Sequence, residues 1–135
     1  MTSDELIKAA EAVTRHRKLA GDNTAGGVGA ALVTVDGTVY RGVCIDTGSS
    51  MGFCAEHAAI GAMITAGESQ IRAVVAVWRD ERDGRLYVLP PCGRCREFMK
   101  QVDAANLDAD VILGPQTVVK LRELLPYHEW PEPIK

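Results

Sequence analysis

Apolar residues recur along this chain with two different periods, and the switches between them mark the elements. Behind Thr2-Ser3-Asp4-Glu5, where Thr2 and Glu5 can form a capping box, Leu6, Ile7, Ala10 and Val13 fall on one helical face. This predicts a first helix to about Ala20, with Gly21 as its stop. Val28 to Val35 alternates loosely, then Asp36-Gly37 interrupts it before Val39 to Ile45; Asp-Gly between two apolar runs predicts a hairpin. From Cys54 to Ala66 the pattern is helical and built of small residues (Ala55, Ala58, Ala59, Gly61, Ala62), so a central, fully buried helix ending at Gly67 is expected. Ile71 to Trp78 is a near-continuous β-type run, the signature of a strand covered on both faces.

Beyond a polar turn at Asp80 to Gly84, Leu86 to Leu89 runs extended into Pro90-Pro91. Cys92 to about Val102 fits a helix with Cys92 and Cys95 on one face. Val111 to Leu113, a Gly114-Pro115 turn, Val118-Val119 and a helix through Leu124-Leu125 complete the chain. The alternation predicts an α/β fold, a three-layer sandwich in which a mixed five-stranded sheet is flanked by helices.

Length and charge narrow the picture. The 135 residues suffice for a single domain, 1–135, with its own core. A net charge of −3 provides no field for a phosphate backbone, so no nucleic-acid partner is expected. The cluster Arg15-His16-Arg17-Lys18 reads as the solvated end of the first helix. Neither a signal peptide nor an apolar run long enough for a bilayer is visible, which gives no membrane partner and a cytoplasmic location as the expectation. In that compartment four cysteines read as metal ligands or buried thiols. Trp130-Pro131-Glu132-Pro133 is expected to lie outside the packed body.

The candidate chemistry is concentrated in Cys54-Ala55-Glu56 and Pro91-Cys92-Gly93-Arg94-Cys95. A structural zinc site takes four protein ligands, whereas a catalytic one leaves a position for water. Cys54, Cys92 and Cys95 supply three thiolates, and Glu56 a carboxylate close enough to move protons without ligating. Both cysteine elements fall at helix starts, where the dipole favours anions. Arg94, and less strongly Arg96, could donate to sulfur, with a surface position as the plainer reading. An isolated Cys-x-x-Cys could be a redox pair, but that leaves Cys-x-Glu without a purpose. Cys44 could be a fourth, structural ligand; a buried or pocket-lining thiol is the stronger reading, because four-cysteine sites come as two close pairs. His57 is expected to pack beside the site, and His16 and His128 to lie on the surface.

With Val28-Gly29-Ala30-Ala31-Leu32 and Leu124-Leu125-Pro126, these motifs resemble the cytidine deaminase superfamily in its three-cysteine form. The resemblance implies one zinc ion per chain on Cys54, Cys92 and Cys95, Glu56 as proton shuttle, the Ala55 backbone N–H on the ring carbonyl, a small-molecule substrate and a homotetramer or dimer. Family members carry Asn-x-Glu for the ribose where this chain has Cys44-Ile45-Asp46, and an aromatic residue where it has Gly26 or Gly27. Cys44, Asp46, Gly27 and the Thr47 to Ser50 stretch therefore suggest a pocket rebuilt for another substituent. His57 stands where many relatives have Arg. The segments Cys92-Gly93-Arg94-Cys95-Arg96 and Arg122-Glu123-Leu124-Leu125-Pro126, with Trp130, resemble blasticidin S deaminases. The implied function is hydrolytic deamination of a small free cytosine-type nucleoside or analogue. Blasticidin S-like detoxification, another aminated heterocycle, and a zinc-stabilised non-catalytic binding module are the alternatives.

Overall fold

The computed structural model describes residues 1–135, and its layers follow from strand alternation. In β2 (Thr24–Thr34) and β4 (Ile71–Arg79), Ala30, Leu32, Val74 and Ala76 point to one face of the sheet, and Ala31, Val33, Val75 and Val77 to the other. The first set packs with Ile60 and Met63 of α2 (Ala55–Thr65), Met99 of α3 (Gly93–Val102) and Leu121. The second packs with Leu6 and Ala10 of α1 (Ser3–Glu11). One helix therefore covers one face and two cover the other, which is the expected three-layer sandwich.

The sheet is mixed but has seven strands rather than five. β3 (Val39–Asp46) pairs antiparallel with β2, β2 antiparallel with β4, and β4 parallel with β6 (Asp110–Gly114), which pairs antiparallel with β7 (Thr117–Lys120). The two extra strands are short: β1 (Arg17–Lys18) on the start of β2, and β5 (Leu86–Leu89), anticipated only as an extended run, on the end of β4. No helix is long and apolar enough to cross a membrane.

Local chemistry accounts for most boundaries. Thr2 and Glu5 form the reciprocal capping box, at 3.2 and 3.1 Å. Gly37, at φ +90°, closes the β2–β3 hairpin with hydrogen bonds between Thr34 and its neighbours in the turn. Gly67, at φ +93°, ends α2 in a Schellman arrangement, Gly67 N–H to Ile64 O and Glu68 N–H to Met63 O.

Four expectations are corrected. α1 stops at Glu11 instead of running to Ala20, so the Arg15–Lys18 cluster lies in the following turn and edge strand. A side chain at Gly26 would overlap the Arg15 carbonyl, so that turn packs directly on β2. β2 begins at Thr24, taking Gly26 and Gly27 into the sheet. α2 is not buried all round: Gly61, Ala62 and Ile64 are exposed on one face. The last helix is a 3-10 turn, Leu121–Leu124, because Pro126 disfavours helical geometry at Leu125, which sits at φ −136°, ψ 61°. As expected, the tail lies outside the packed body, with Trp130 92% exposed.

A buried asparagine that the pattern did not disclose fixes the α3 end of the molecule. Asn106, fully buried in the 3-10 turn Ala104–Asp108, accepts from Ile71 N–H (2.7 Å) and donates to the Ser69 and Met99 carbonyls (3.0 and 2.9 Å). It ties the end of α3 to the start of β4.

Candidate active site

Two devices bring the cysteine elements together. The Asp46–Gly52 loop closes back on β3 through a two-way backbone bridge between Ile45 and Phe53, both bonds 3.0 Å, which delivers Cys54 beside the end of that strand. α2 then lies close along β3, because Gly42 has no side chain: a Cβ there would overlap the Ala59 amide nitrogen. On the other element Arg96 Nε donates to the Pro91 carbonyl at 2.8 Å, fixing the turn from which α3 starts.

Cys54 is the N-cap residue of α2 and Cys92 that of α3, while Cys95 lies one turn into α3. The Cys54–Cys92 and Cys92–Cys95 sulfur separations are 3.4 and 3.6 Å, and all three sulfurs lie within 4.8 Å of one another. These spacings are too long for a disulfide, about 2.05 Å. They suit three corners of a tetrahedron around zinc, where Zn–S bonds of about 2.3 Å put sulfurs about 3.8 Å apart. The donor set therefore fits one zinc per chain. Cys44 stands outside the cluster.

The electrostatics show why a cation suits the site. Burial and the Cys92 hydrogen bond push the Cys54 thiol up, and burial with the Glu56 charge pushes Cys95 up. At Cys92 burial raises the thiol, but the Cys95 backbone N–H and the neighbouring thiols outweigh it and hold it below the ordinary range. The lowering expected at helix starts is thus seen only there. A bound divalent cation reverses the balance by stabilising all three thiolates.

Glu56 is 5% exposed, and burial raises its carboxyl above the usual range. It lines a cavity of about 470 Å³ together with Cys54, Cys92 and Ala55, a volume suited to a small ligand. Cys44, Asp46 and Arg94 line the same cavity. The Arg94 side chain makes no hydrogen bond to sulfur, and only its backbone N–H supports Cys92. His57 instead places Nδ1 3.3 Å from Cys95 Sγ and stacks on Phe98, ring centroids 4.2 Å apart. Burial, and then the Arg94 charge, lower the His57 pKa, so a neutral ring can donate Nδ1–H to a Cys95 thiolate. Gly27 is not in the cavity wall; a side chain there would face His16, and its neighbour Val28 lines the cavity instead. Val28 and Ala76 share the strand face of Ala30 and Leu32, so alternation alone marks them for that side. Phe53 and Phe98 carry no such signal.

A family profile described as the cytidine and deoxycytidylate deaminase zinc-binding region matches residues 2–109. The chain belongs to this family. It is 34% identical over 100 residues to a cytidine deaminase of Mycobacterium tuberculosis, covering 73% of this chain and 69% of that protein. With a cytidine deaminase of Halalkalibacterium halodurans it shares 36% over 88 residues, 64% of this chain and 61% of that one, so the match spans less than two thirds of that relative. A Blasticidin-S deaminase of Bacillus cereus is 31% identical over 128 residues, 92% of this chain and 91% of that one. Among solved structures, the cytidine deaminase of Mycobacterium leprae superposes with a TM-score of 0.74 at 28% identity, covering 93% of this chain and 98% of the other. These likenesses make the fold that of the cytidine deaminases and the chain a hydrolytic deaminase acting on C–N bonds.

Proposed function

We propose that the chain removes the exocyclic amino group of a small free cytosine-type nucleoside or analogue, leaving a carbonyl and releasing ammonia. The observation that carries this reading is Glu56: a buried carboxyl with no side-chain hydrogen bond, in the wall of the cavity that also contains Cys54 and Cys92. Cys54, Cys92 and Cys95 would hold zinc, which when bound acts as a Lewis acid that makes water nucleophilic at neutral pH. Glu56 would accept one proton from the attacking water and pass it to the ring nitrogen, then take the second from the hydroxyl so added and pass it to the departing amine, leaving a carbonyl and ammonia. Its burial favours the protonated state it must pass through. The Ala55 backbone N–H, unpaired within the first turn of α2, donates to the ring carbonyl. Phe53 and Val28 give the ring an apolar wall.

The chemistry implies a reducing, cytosolic setting in which three thiolates persist. Self-association, as a homotetramer or dimer, is supported by the exposed apolar face of α2 around Ile64 and by Met51, 77% exposed in the loop before it. Light scattering on the purified chain tests that part.

The enzymatic test is ammonia release by zinc-loaded protein over cytidine, deoxycytidine, cytosine and blasticidin S. Turnover of at least one is expected, with the blasticidin S arm deciding whether a bulkier substituent is accepted. Silence across the panel, with zinc bound, would overturn the reading.

A further inference from the structure

The sheet floor of the cavity continues outward onto two aromatic side chains that the deaminase chemistry leaves unused. Residues paired across strands share a face of the sheet. On the face covered by α2 and α3, the row of Ala30, Ala76 and Leu89 is followed, two residues along the strands, by the row of Val28, Trp78 and Tyr87. Val28, Ala76 and Leu89 line the cavity. Trp78 and Tyr87 therefore extend its floor by one step, about 7 Å along the strands. Their rings stack with centroids 5.4 Å apart and an interplanar angle of 30°.

Neither residue packs against either buried cluster of the core. Trp78 is half-buried and Tyr87 39% exposed, so core packing does not account for two large aromatics here. The turn that joins their strands is firmly made. Asp80 N–H donates to the Arg85 carbonyl at 2.9 Å, Gly84 sits at φ +74°, and the buried Asp80 carboxylate accepts from the Arg82 backbone and guanidinium, each at 2.9 Å. Tyr87 Oη donates to Asp83 Oδ2 at 3.4 Å, which tethers the ring. A tethered, stacked pair with open ring area, continuous with a ligand cavity, suits a flat group that can stack on it.

Resting on the deaminase reading above, we propose that Trp78 and Tyr87 form an outer subsite of the cavity, which stacks a planar aromatic group carried by the substrate beyond its reacting ring. Continuity with the cavity commits this face to the substrate: the row that sets Val28 against the reacting ring leads directly to Trp78. The substrate class is then a cytosine-type nucleoside bearing an aryl or heteroaryl arm. Trp78 and Tyr87 are specificity-determining residues, and neither touches the reacting atoms.

The experiment measures kcat/KM by ammonia release from cytidines that carry a benzyl or a cyclohexylmethyl ether on each ribose oxygen in turn. The two arms match in size, and only benzyl is flat. At one position benzyl should exceed cyclohexylmethyl by about two- to twelvefold, the scale of aromatic pairing beyond area burial. Trp78→Leu and Tyr87→Leu should each bring that ratio toward one, whereas Tyr87→Phe, which keeps the ring, should retain it. With Trp130→Phe, Trp78 is the only tryptophan left. On zinc-loaded protein that also carries Glu56→Gln, its fluorescence should be quenched more by the preferred benzyl ether than by the cyclohexylmethyl one.

A ratio near one at every position overturns the proposal, as does failure of every benzyl ether to react on protein active over the panel above. Leu variants that slow all substrates alike and keep the ratio also overturn it, since that marks a structural role. So does a change of oligomeric state in those variants by light scattering, which makes the face an interface between copies. Zinc-loaded protein that releases ammonia neither from the ethers nor from the panel sinks the deaminase reading itself, an outcome distinct from ammonia released without aryl preference.

Discussion

Gly42→Ala isolates the contact that sets the distance between the two halves of the site. The added methyl would overlap the Ala59 amide nitrogen and lie 2.5 Å from Ala58 Cβ and 2.7 Å from Ala58 C. Ordinary carbon contacts are about 3.5–4.0 Å, so α2 must withdraw from β3 by about 1 Å or the strand must bend away. Neighbouring atoms are backbone and a short side chain, so nothing flexible can yield. Overpacking of this kind costs about 1–3 kcal/mol. With an unfolding entropy of about 2.1 cal/mol/K per residue over 135 residues, that is a fall in Tm of about 4–11 °C. The displacement is transmitted to Cys54 and Glu56 at the start of α2 but not to Cys92 and Cys95 on α3. Zinc affinity should therefore fall, and a misplacement of about 1 Å can lower turnover about a hundredfold. Thermal unfolding followed by metal analysis and ammonia release provides the measurement. Gly48→Ala is the matched control, since a Cβ there meets nothing within 4 Å and its effect should stay within about 0.5 kcal/mol. A Gly42→Ala protein with unchanged Tm, zinc and turnover would refute the close α2–β3 packing as the device that positions the site.

Asn106→Ala removes three hydrogen bonds, two of them buried, and leaves the Ile71 N–H without its acceptor, so a loss of about 3 kcal/mol is expected in denaturant unfolding; a loss below about 1 kcal/mol contradicts the role given to that side chain. Tyr40 donates to Glu68 at 2.6 Å, and that hydrogen bond is the main cause of the lowered Glu68 pKa and the raised Tyr40 pKa. A depressed carboxylate contributes stability above its unfolded pKa that disappears as pH falls through the folded one; a raised phenol contributes stability that disappears in alkali. Tyr40→Phe should therefore lower Tm near neutrality and by progressively less as pH falls below the ordinary glutamate range, and a loss that stays the same throughout the acid range refutes the linkage. Cys44→Ser should keep its full complement of zinc, because that sulfur lies outside the three-sulfur cluster; stoichiometric loss of metal would restore the four-cysteine site.

The layers and the sulfur cluster were legible in the sequence because each rests on local pattern. Alternation in Val28–Val35 and Ile71–Trp78 assigns residues to faces, and Cys54 and Cys92 precede helical runs that fix them as caps. What was not legible depends on contacts remote along the chain. α1 ends early because residues 12–16 turn back to lay β1 on β2, and only the packing at Gly26 reveals that approach. Composition alone made α2 look buried throughout, whereas the sheet covers only the Ala55, Ala59, Ile60 and Met63 side. Gly27, which with Gly26 was expected at the aromatic position, lies toward His16 because strand alternation gives the cavity to Val28. Arg94, the cation nearest the cysteines in sequence, lines the cavity, while His57 reaches sulfur from the facing helix.

The most direct test of the central claim is a paired measurement on Glu56→Gln: zinc per chain and the rate of ammonia release. Gln keeps the shape of the side chain and removes its capacity to exchange protons. The account predicts a folded protein that retains about one zinc per chain, as the three sulfurs alone require, and turns over about 10²–10⁴-fold more slowly than the unaltered chain. A zinc-loaded Glu56→Gln protein with near-normal turnover would contradict it.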